Sequence, residues 1–283
     1  MSPTLTALQR FPVKSCRGES LASGVVEPWG LRGDRRWMLV DETGETVTAR
    51  EHRHLMLVQP QITEAGLRVT MPGEPTLDVP VPDAGELVPV SVFGGTPFLA
   101  TLAAAEAHTW FTGVLGASVR LVHADDPTRR TASPRLAGPG VPVSFADGYP
   151  LNVAAESSLA ALNDLIAKGR FAEQGPLPMV RFRANLVVAG APAWAEDGWR
   201  RIRVGEAVFR VVKGCDRCAI PTTDTETAVR FKEPTFTLAR HRRWDGGVWF
   251  GMNIVPENPG ATVKVGDGVE ILEAVDAPDG PPR

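Results

Sequence analysis

The chain predicts an α+β fold that is mostly β, and three observations carry that reading. Short runs rich in Val, Ile, Leu, Phe and Thr recur along the whole length. They are punctuated by 28 glycines and 25 prolines, the turn-rich pattern of barrels and sandwiches. Only two stretches space their apolar residues as a helix would.

Taken in order, Leu5–Phe11, Arg36–Val40 and Thr46–Ala49 read as strands, and Asp41-Glu42-Thr43-Gly44 between the last two has hairpin-turn chemistry. Leu55–Pro60, Leu67–Met71 and Leu87–Val92 continue the series. Within residues 102–115, Trp110, Phe111, Val114 and Leu115 fall at i, i+1, i+4 and i+5, which predicts a helix, with Gly116 as its stop. Residues 124–148 are rich in Pro, Gly, Asp and Arg, a loop too long to serve as connection alone. Ser157–Lys168 predicts a second helix, capped by Ser157 or Ser158, with Leu159, Leu162, Leu165 and Ile166 on one face. Asn185–Val188, Trp199–Val204, Ala207–Lys213, Val248–Val255 and Val269–Leu272 complete the strands, and a flexible tail is expected over 276–283. No internal repeat is present.

Composition is that of an ordinary globular protein, 43% hydrophobic and 22% charged. A formal charge of -3 without a lysine-rich run excludes a dedicated nucleic-acid binder. The N terminus lacks the charged start and apolar core of a secretory signal, and no apolar run approaches the roughly 20 residues of a membrane helix. Three cysteines argue against a disulfide framework and for a reducing compartment, so a cytoplasmic protein without a membrane partner is expected.

Chemistry concentrates in Lys213-Gly214-Cys215-Asp216-Arg217-Cys218-Ala219-Ile220-Pro221-Thr222-Thr223-Asp224, which holds two of the cysteines at the end of a strand-like run. Neighbouring cations favour the thiolate, the form that ligates metals or attacks electrophiles. A buried inert thiol is the bland alternative for each cysteine. A structural zinc site needs about four protein ligands, and neither a second C-x-x-C nor a paired histidine motif accompanies this one. A thioredoxin-like pair expects a βαβ setting, whereas these surroundings are β-rich. Arginines and lysines elsewhere are ordinarily solvated surface groups.

Several blocks carry a family resemblance. Phe11-Pro12-Val13-Lys14-Ser15-Cys16-Arg17-Gly18, Gly33-Asp34-Arg35-Arg36-Trp37 and Val47-Thr48-Ala49-Arg50 resemble the β-barrel domain that precedes MOSC domains, the C-terminal domains of molybdenum cofactor sulfurases. Phe182-Arg183-Ala184-Asn185, the Cys215–Thr223 segment, Lys232-Glu233-Pro234 and Glu257-Asn258-Pro259-Gly260 with Val265-Gly266-Asp267 resemble the MOSC domain itself. Each block is weak alone; together they occur in family order over nearly the whole chain. The resemblance implies an N-terminal MOSC-associated β-barrel domain over 1–118 and a MOSC β-barrel with inserted helices over 119–275.

It further implies a molybdenum cofactor, a pterin dithiolene carrying a phosphate. Molybdenum would be ligated by Cys218, a soft donor suited to it. Cofactor contacts fall on Lys14, Ser15, Arg35, Arg183, Asn185, Asp216, Arg217 and Cys218, with Arg36 and Asp147 as weaker candidates and Cys16 and Cys215 as bystander thiols. The implied activity is reduction of N-hydroxylated compounds such as amidoximes, hydroxylamines and N-hydroxylated bases. The sequence has no cysteine after Cys218 to ligate an iron–sulfur cluster and no Gly-x-Gly-x-x-Gly fingerprint. A separate ferredoxin, flavodoxin or cytochrome with its reductase is therefore the expected electron donor. The alternative is a cofactor carrier or sulfur-transfer module without turnover of its own.

Overall fold

The first strand of the chain closes the barrel that its second half builds. The computed structural model describes residues 2–277 and 280–282. In chain order it runs β1 (Thr4–Arg10), β2 (Glu19–Leu21), β3 (Ser23–Glu27), β4 (Gly30–Leu31), β5 (Trp37–Val40), β6 (Thr46–Val47), β7 (Gln59–Ile62), β8 (Gly66–Thr70), β9 (Leu77–Pro80), β10 (Leu87–Val90), β11 (Phe98–Leu102), α1 (Ala105–Leu115) and β12 (Arg120–His123). There follow α2 (Pro134–Ala137), β13 (Leu151–Ala155), α3 (Glu156–Ala167), β14 (Leu186–Ala189), β15 (Trp199–Val204), β16 (Ala207–Asp216), α4 (Thr235–His241), β17 (Arg243–Trp244), β18 (Gly247–Pro256), β19 (Thr262–Lys264) and β20 (Val269–Ala274). The mostly β, α+β class read from the sequence is the class observed.

The main sheet runs β1-β14-β13-β18-β16-β15-β20, with β2 beside β1 and β17 beside β18. It returns on itself: Leu5 N–H donates to Asp267 O (2.9 Å), Val269 N–H donates to Pro3 O (2.8 Å), and Thr4 bridges Gly268. Closure removes the sheet edges, and inward side chains fill the lumen. Leu5, Leu151, Leu186, Ile202, Phe209 and Ile254 are fully or almost fully buried there. Outside, α3 and α4 lay Leu162, Ile166 and Leu238 over Phe182 and Phe250.

The other strands form smaller sheets against this barrel, β10-β11-β12-β5-β6, β7-β8-β9 and β19-β3-β4. Phe111 of α1 packs with Trp37, Leu39 and Leu121 in their core. The expected stop at Gly116 is an αL residue (φ 62°) whose N–H donates to Thr112 O at 2.9 Å. The expected turn at Asp41 is also present: its carboxylate accepts from Thr43 N–H (2.8 Å) and Glu45 N–H (3.0 Å). Among the described residues no helix is long and apolar enough to cross a membrane.

Some local expectations fail for physical reasons. Leu55–Pro60 is not one strand: residues 53–57 form a 3₁₀ turn that buries Leu55 and Met56, and extended chain begins only at Gln59. A short apolar run has no period to distinguish the two. Neither serine caps α3; Ala155 is its N-cap, and Ser158 is buried inside, donating to Glu196 at 2.8 Å and accepting Trp194 N–H at 2.8 Å. Of the segment expected to be a flexible tail, residues 278, 279 and 283 lie outside the described residues. Pro281 is buried, and the carbonyl of Pro282 accepts Gly214 N–H at 2.8 Å.

Candidate functional site

One end of the barrel, where β1, β13, β14 and β16 finish or begin, opens into a cleft with a volume of about 120 Å³. Lys14, Ser15, Arg35, Arg183, Asn185, Asp216, Arg217 and Cys218 all line it, as do Cys215 and Asp147. Residues scattered over two hundred positions of sequence are brought together because antiparallel and parallel pairing place these strand ends on one rim. Arg36 is not among them. Its guanidinium turns away to the carbonyl of Ala124 (2.9 Å from Nε) and lies 5.5 Å from the Trp29 ring.

Three of the lining residues have left-handed backbones although none is glycine: Ser15 (φ 70°), Arg35 (φ 46°) and Arg183 (φ 52°). Each such residue costs on the order of 1–2 kcal/mol, which surrounding contacts must offset. Arg35 N–H donates to Phe11 O at 2.7 Å and Arg183 N–H to Val180 O at 3.1 Å. The outcome is that both guanidiniums lie against one aromatic ring, Phe11, at 4.5 and 4.2 Å. Alternation along a strand does not place Arg183 and Asn185. Arg183 ends a 3₁₀ turn and β14 starts only at Leu186; the αL turn aims Arg183 into the cleft.

Asn185 is fully buried with every hydrogen-bonding position occupied. Its Oδ1 accepts from Arg35 Nη1 (2.9 Å) and Asn152 N–H (3.2 Å), and its Nδ2 donates to Gln9 O (3.1 Å) and Asp34 Oδ1 (3.1 Å). It holds Arg35 from behind, together with Asp34, whose Oδ2 accepts from Arg35 Nη1 at 2.6 Å. Across the cleft, Lys14 Nζ donates to Phe145 O (3.0 Å) and pairs closely with Asp147, which also accepts from Arg50 at 3.3 Å. Burial pushes the Lys14 ammonium below its ordinary value despite Asp147. Burial raises the Asp147 carboxyl, but Lys14, Arg50 and Arg35 outweigh it and hold the group at about 2. Burial, then the Arg35 charge, brings Arg183 down to about 10.

The Cys215–Cys218 segment leaves β16 at a bulge. Arg217 is clamped: Nε donates to Phe250 O (2.8 Å), Nη1 to Phe182 O (2.8 Å) and Nη2 to Asn152 Oδ1 (3.2 Å). The Asp216 carboxylate accepts Val248 N–H at 3.0 Å. Cys218 is half-buried, with Ile220 N–H directed at its sulfur at 3.5 Å. Burial outweighs neighbouring cations at Cys215 and Cys16. Burial pushes Cys215 up against the pull of Arg217, and takes Cys16, wholly buried, to about 12 despite Arg183. Cys16 contributes its carbonyl instead, accepting from Arg183 Nη1 at 2.5 Å.

The donor set suits a phosphate-bearing group with a soft metal. Lys14, Arg35 and Arg183 supply convergent cationic donors, and Cys218 supplies sulfur. Asn152, more than nine-tenths buried and lining the cleft, has an Nδ2 without any partner, an expensive state unless a ligand accepts from it. Among the described residues no three His, Cys, Asp or Glu side chains gather as ligands.

Sequence reasoning missed Asn152, Asp34, Arg130, Arg181 and Gly251. Arg130 donates to the carbonyls of Ser144 (2.8 Å), Ala146 (2.5 Å) and Asp147 (2.8 Å), so the long 124–148 loop is tied down to present Asp147. Arg181 pins the motif loop through Asp224 at 2.7 Å. Gly251 sits at φ 72°, where a Cβ would stand 2.9 Å from Val153 O and 3.2 Å from Arg217 Nη2. Only Asp34, beside Arg35 in a quoted block, had a sequence signal.

The chain matches the MOSC N-terminal beta barrel domain over residues 2–118 and the MOSC domain over residues 141–270. It is 31% identical over 290 residues to "Mitochondrial amidoxime-reducing component 1" of Homo sapiens, covering 95% of this chain and 83% of that protein. It is 30% identical to "Mitochondrial amidoxime reducing component 2" of Rattus norvegicus, covering 94% and 82%. Against "Molybdenum cofactor sulfurase" of Oryza sativa subsp. japonica it is also 30% identical, over 86% of this chain but 31% of that protein. Among solved structures, the YUAD protein from Bacillus subtilis covers 95% of this chain and 94% of its own at 14% identity, with a TM-score of 0.43. With both domains matched in order, and with such similarity across most of an amidoxime-reducing component, the chain belongs to the MOSC family.

Proposed function

We propose that the cleft binds a molybdenum cofactor and that the chain reduces N-hydroxylated compounds with electrons from a separate donor protein. The observation that carries this reading is the convergence of Lys14, Arg35, Arg183 and Arg217 on the cleft that also contains the half-buried Cys218 sulfur. Similarity to the amidoxime-reducing components supports it. When bound, the cofactor would supply the redox chemistry, in which an N–O bond is broken by two electrons and two protons and the oxygen leaves as water.

The chain's own residues have separable tasks. Cys218 offers the metal ligand. Lys14, Arg35 and Arg183 would neutralise the phosphate, and charge-assisted bonds of this kind contribute about 1.5–3 kcal/mol each. Asn152 Nδ2 is free to donate to the ligand, while Arg217 fixes Asn152 Oδ1 and thereby its orientation. Asp147, held at about 2, remains a carboxylate near neutral pH and orients Lys14; it is not the acid that protonates the leaving oxygen.

A second reading, cofactor carriage or sulfur transfer, is favoured by the similarity to molybdenum cofactor sulfurase. The test is to purify the protein from a host that makes the cofactor, measure molybdenum, and supply reduced viologen with an amidoxime. Stoichiometric molybdenum with turnover supports reduction. Stoichiometric molybdenum without turnover across a panel of N-hydroxylated substrates selects the carrier. Absence of molybdenum overturns both reduction and cofactor carriage, leaving sulfur transfer alone.

A further inference from the structure

Two exposed arginines flank an aromatic pair where α3 ends against α4, and two exposed lysines lie close by in the chain. The Phe171 and Phe236 rings meet edge-to-face with centroids 4.9 Å apart. The Arg170 guanidinium lies 5.4 Å from the Phe171 ring and that of Arg240 lies 5.5 Å from the Phe236 ring. Lys168 is the C-cap of α3, and Gly169 lies against Thr237 of α4. Lys232 joins the group because its N–H donates to Gln174 Oε1 at 2.9 Å, in the turn that follows Phe171. Among the described residues none of these four cations forms an ion pair, so their charge is left uncompensated at this face. Glu173 is the one acid in the same turn. The face is thus locally positive in a chain of net charge -3.

We infer that this face is the docking surface for an acidic electron-carrier protein, an inference that rests on the function proposed above. Arginine and aromatic side chains that stay solvated in the free protein are what interfaces use as anchors, and unpaired positive charge steers a negative partner to them. The face also backs onto the cleft. Leu238 of α4 packs in the same cluster as Phe250 and Phe182, whose rings stack at 3.9 Å, and Phe182 lines the cleft. One helix, about 10 Å across, and one aromatic pair separate the carrier from the Arg217 side of the site, through apolar packing. Each docking event oxidises the carrier by one electron, and two events supply the pair that N–O reduction consumes.

The experiment uses the holo-protein with two probes, an acidic flavodoxin and an acidic [2Fe–2S] ferredoxin, and reads affinity by calorimetry beside turnover. At least one carrier should bind, more weakly as salt rises. R170E/R240E should weaken that binding by about tenfold at low salt and slow carrier-driven reduction to match, leaving viologen-driven turnover intact. R170Q/R240Q, which removes charge without reversing it, should fall between the two and guards against misfolding. Binding of neither carrier, unchanged affinity in both variants, or adsorption to phosphatidylserine vesicles in place of carrier binding would overturn the docking surface. Loss of viologen-driven turnover in the wild type would instead strike the proposed function, since the affinity measurement stands apart from it.

Discussion

Asn185→Ala should damage the fold before it damages the chemistry. The side chain makes four hydrogen bonds from one fully buried point, two of them to ionised partners, Arg35 and Asp34, and two to backbone groups at Gln9 and Asn152. Bonds to charged groups contribute about 1.5–3 kcal/mol and neutral ones about 0.5–1.5. Asp34 keeps Phe11 N–H (2.7 Å) and Arg35 (2.6 Å), so part of the loss is absorbed. The expected destabilisation is about 3–5 kcal/mol, at the severe end for a single substitution. Urea unfolding should show it as a lower midpoint at unchanged slope. Arg183→Ala is the contrast: it gives up one bond, to Cys16 O, and its contact with Phe11, while relieving repulsion from Arg35. It should cost no more than about 1 kcal/mol yet lose cofactor. If Asn185→Ala kept its midpoint and lost only cofactor, the assignment of Asn185 to a supporting place behind Arg35 would be wrong.

Cys218→Ala should abolish molybdenum retention and reductase activity with the fold intact, whereas Cys215→Ala should be far milder; metal analysis of both variants checks the ligand. Gly251→Ala forces a side chain into φ 72° against Val153 O and Arg217, costing about 1–2 kcal/mol for the backbone alone. It should also displace Arg217, seen as reduced cofactor loading in the variant that still folds. For Asp147 the folded value of about 2 lies below its ordinary 3.8, so its contribution to stability is complete above 3.8 and disappears as pH falls toward 2. Acid unfolding of wild type and Asp147→Asn should therefore converge across that window; with the side chain 59% exposed the amplitude is small.

The fold class and about half of the strands were legible, where β-branched residues and flanking turns mark them, while short strands such as Glu19–Leu21 and Thr262–Lys264 were not. Leu151–Ala155 was not: it is buried on both faces at the centre of the sheet, so it has no alternation to read. α4 was also missed, since it has seven residues and its buried face rests on Thr237 and Leu238 alone. The candidate site was readable as a set of motif blocks, and all eight cofactor contacts that the resemblance implied line the cleft. What those blocks could not convey is which members face the cleft and which support it. Asn185 and Arg183 stand two positions apart, yet one is saturated by its neighbours and the other is aimed by an αL turn. That difference arises from long-range packing. The same limit applies to thiol reactivity: cations beside Cys215 in sequence lose to burial in the fold.

The electrostatics of the cleft imply that its ligand should stabilise the protein, and this leads to a final test. Arg35 and Arg183 lie against one ring, and the charge of Arg35 adds to burial in disfavouring the Arg183 cation. Burial likewise disfavours the Lys14 ammonium, with Arg130 and Arg35 adding to it, although Asp147 pulls the other way. Like charges gathered at the rim oppose folding, and an anion bound among them reverses the sign of that interaction. A ligand that binds only the folded chain stabilises it by about 2.7 kcal/mol at one hundred times its dissociation constant. Inorganic phosphate, titrated into cofactor-free protein at constant ionic strength, should therefore raise the melting temperature with saturation. Arg183→Gln should lose most of that increment while keeping its own baseline stability. An equal rise in wild type and variant would mean that phosphate acts elsewhere on the surface, and the cationic rim would then have no claim to be the phosphate end of the site.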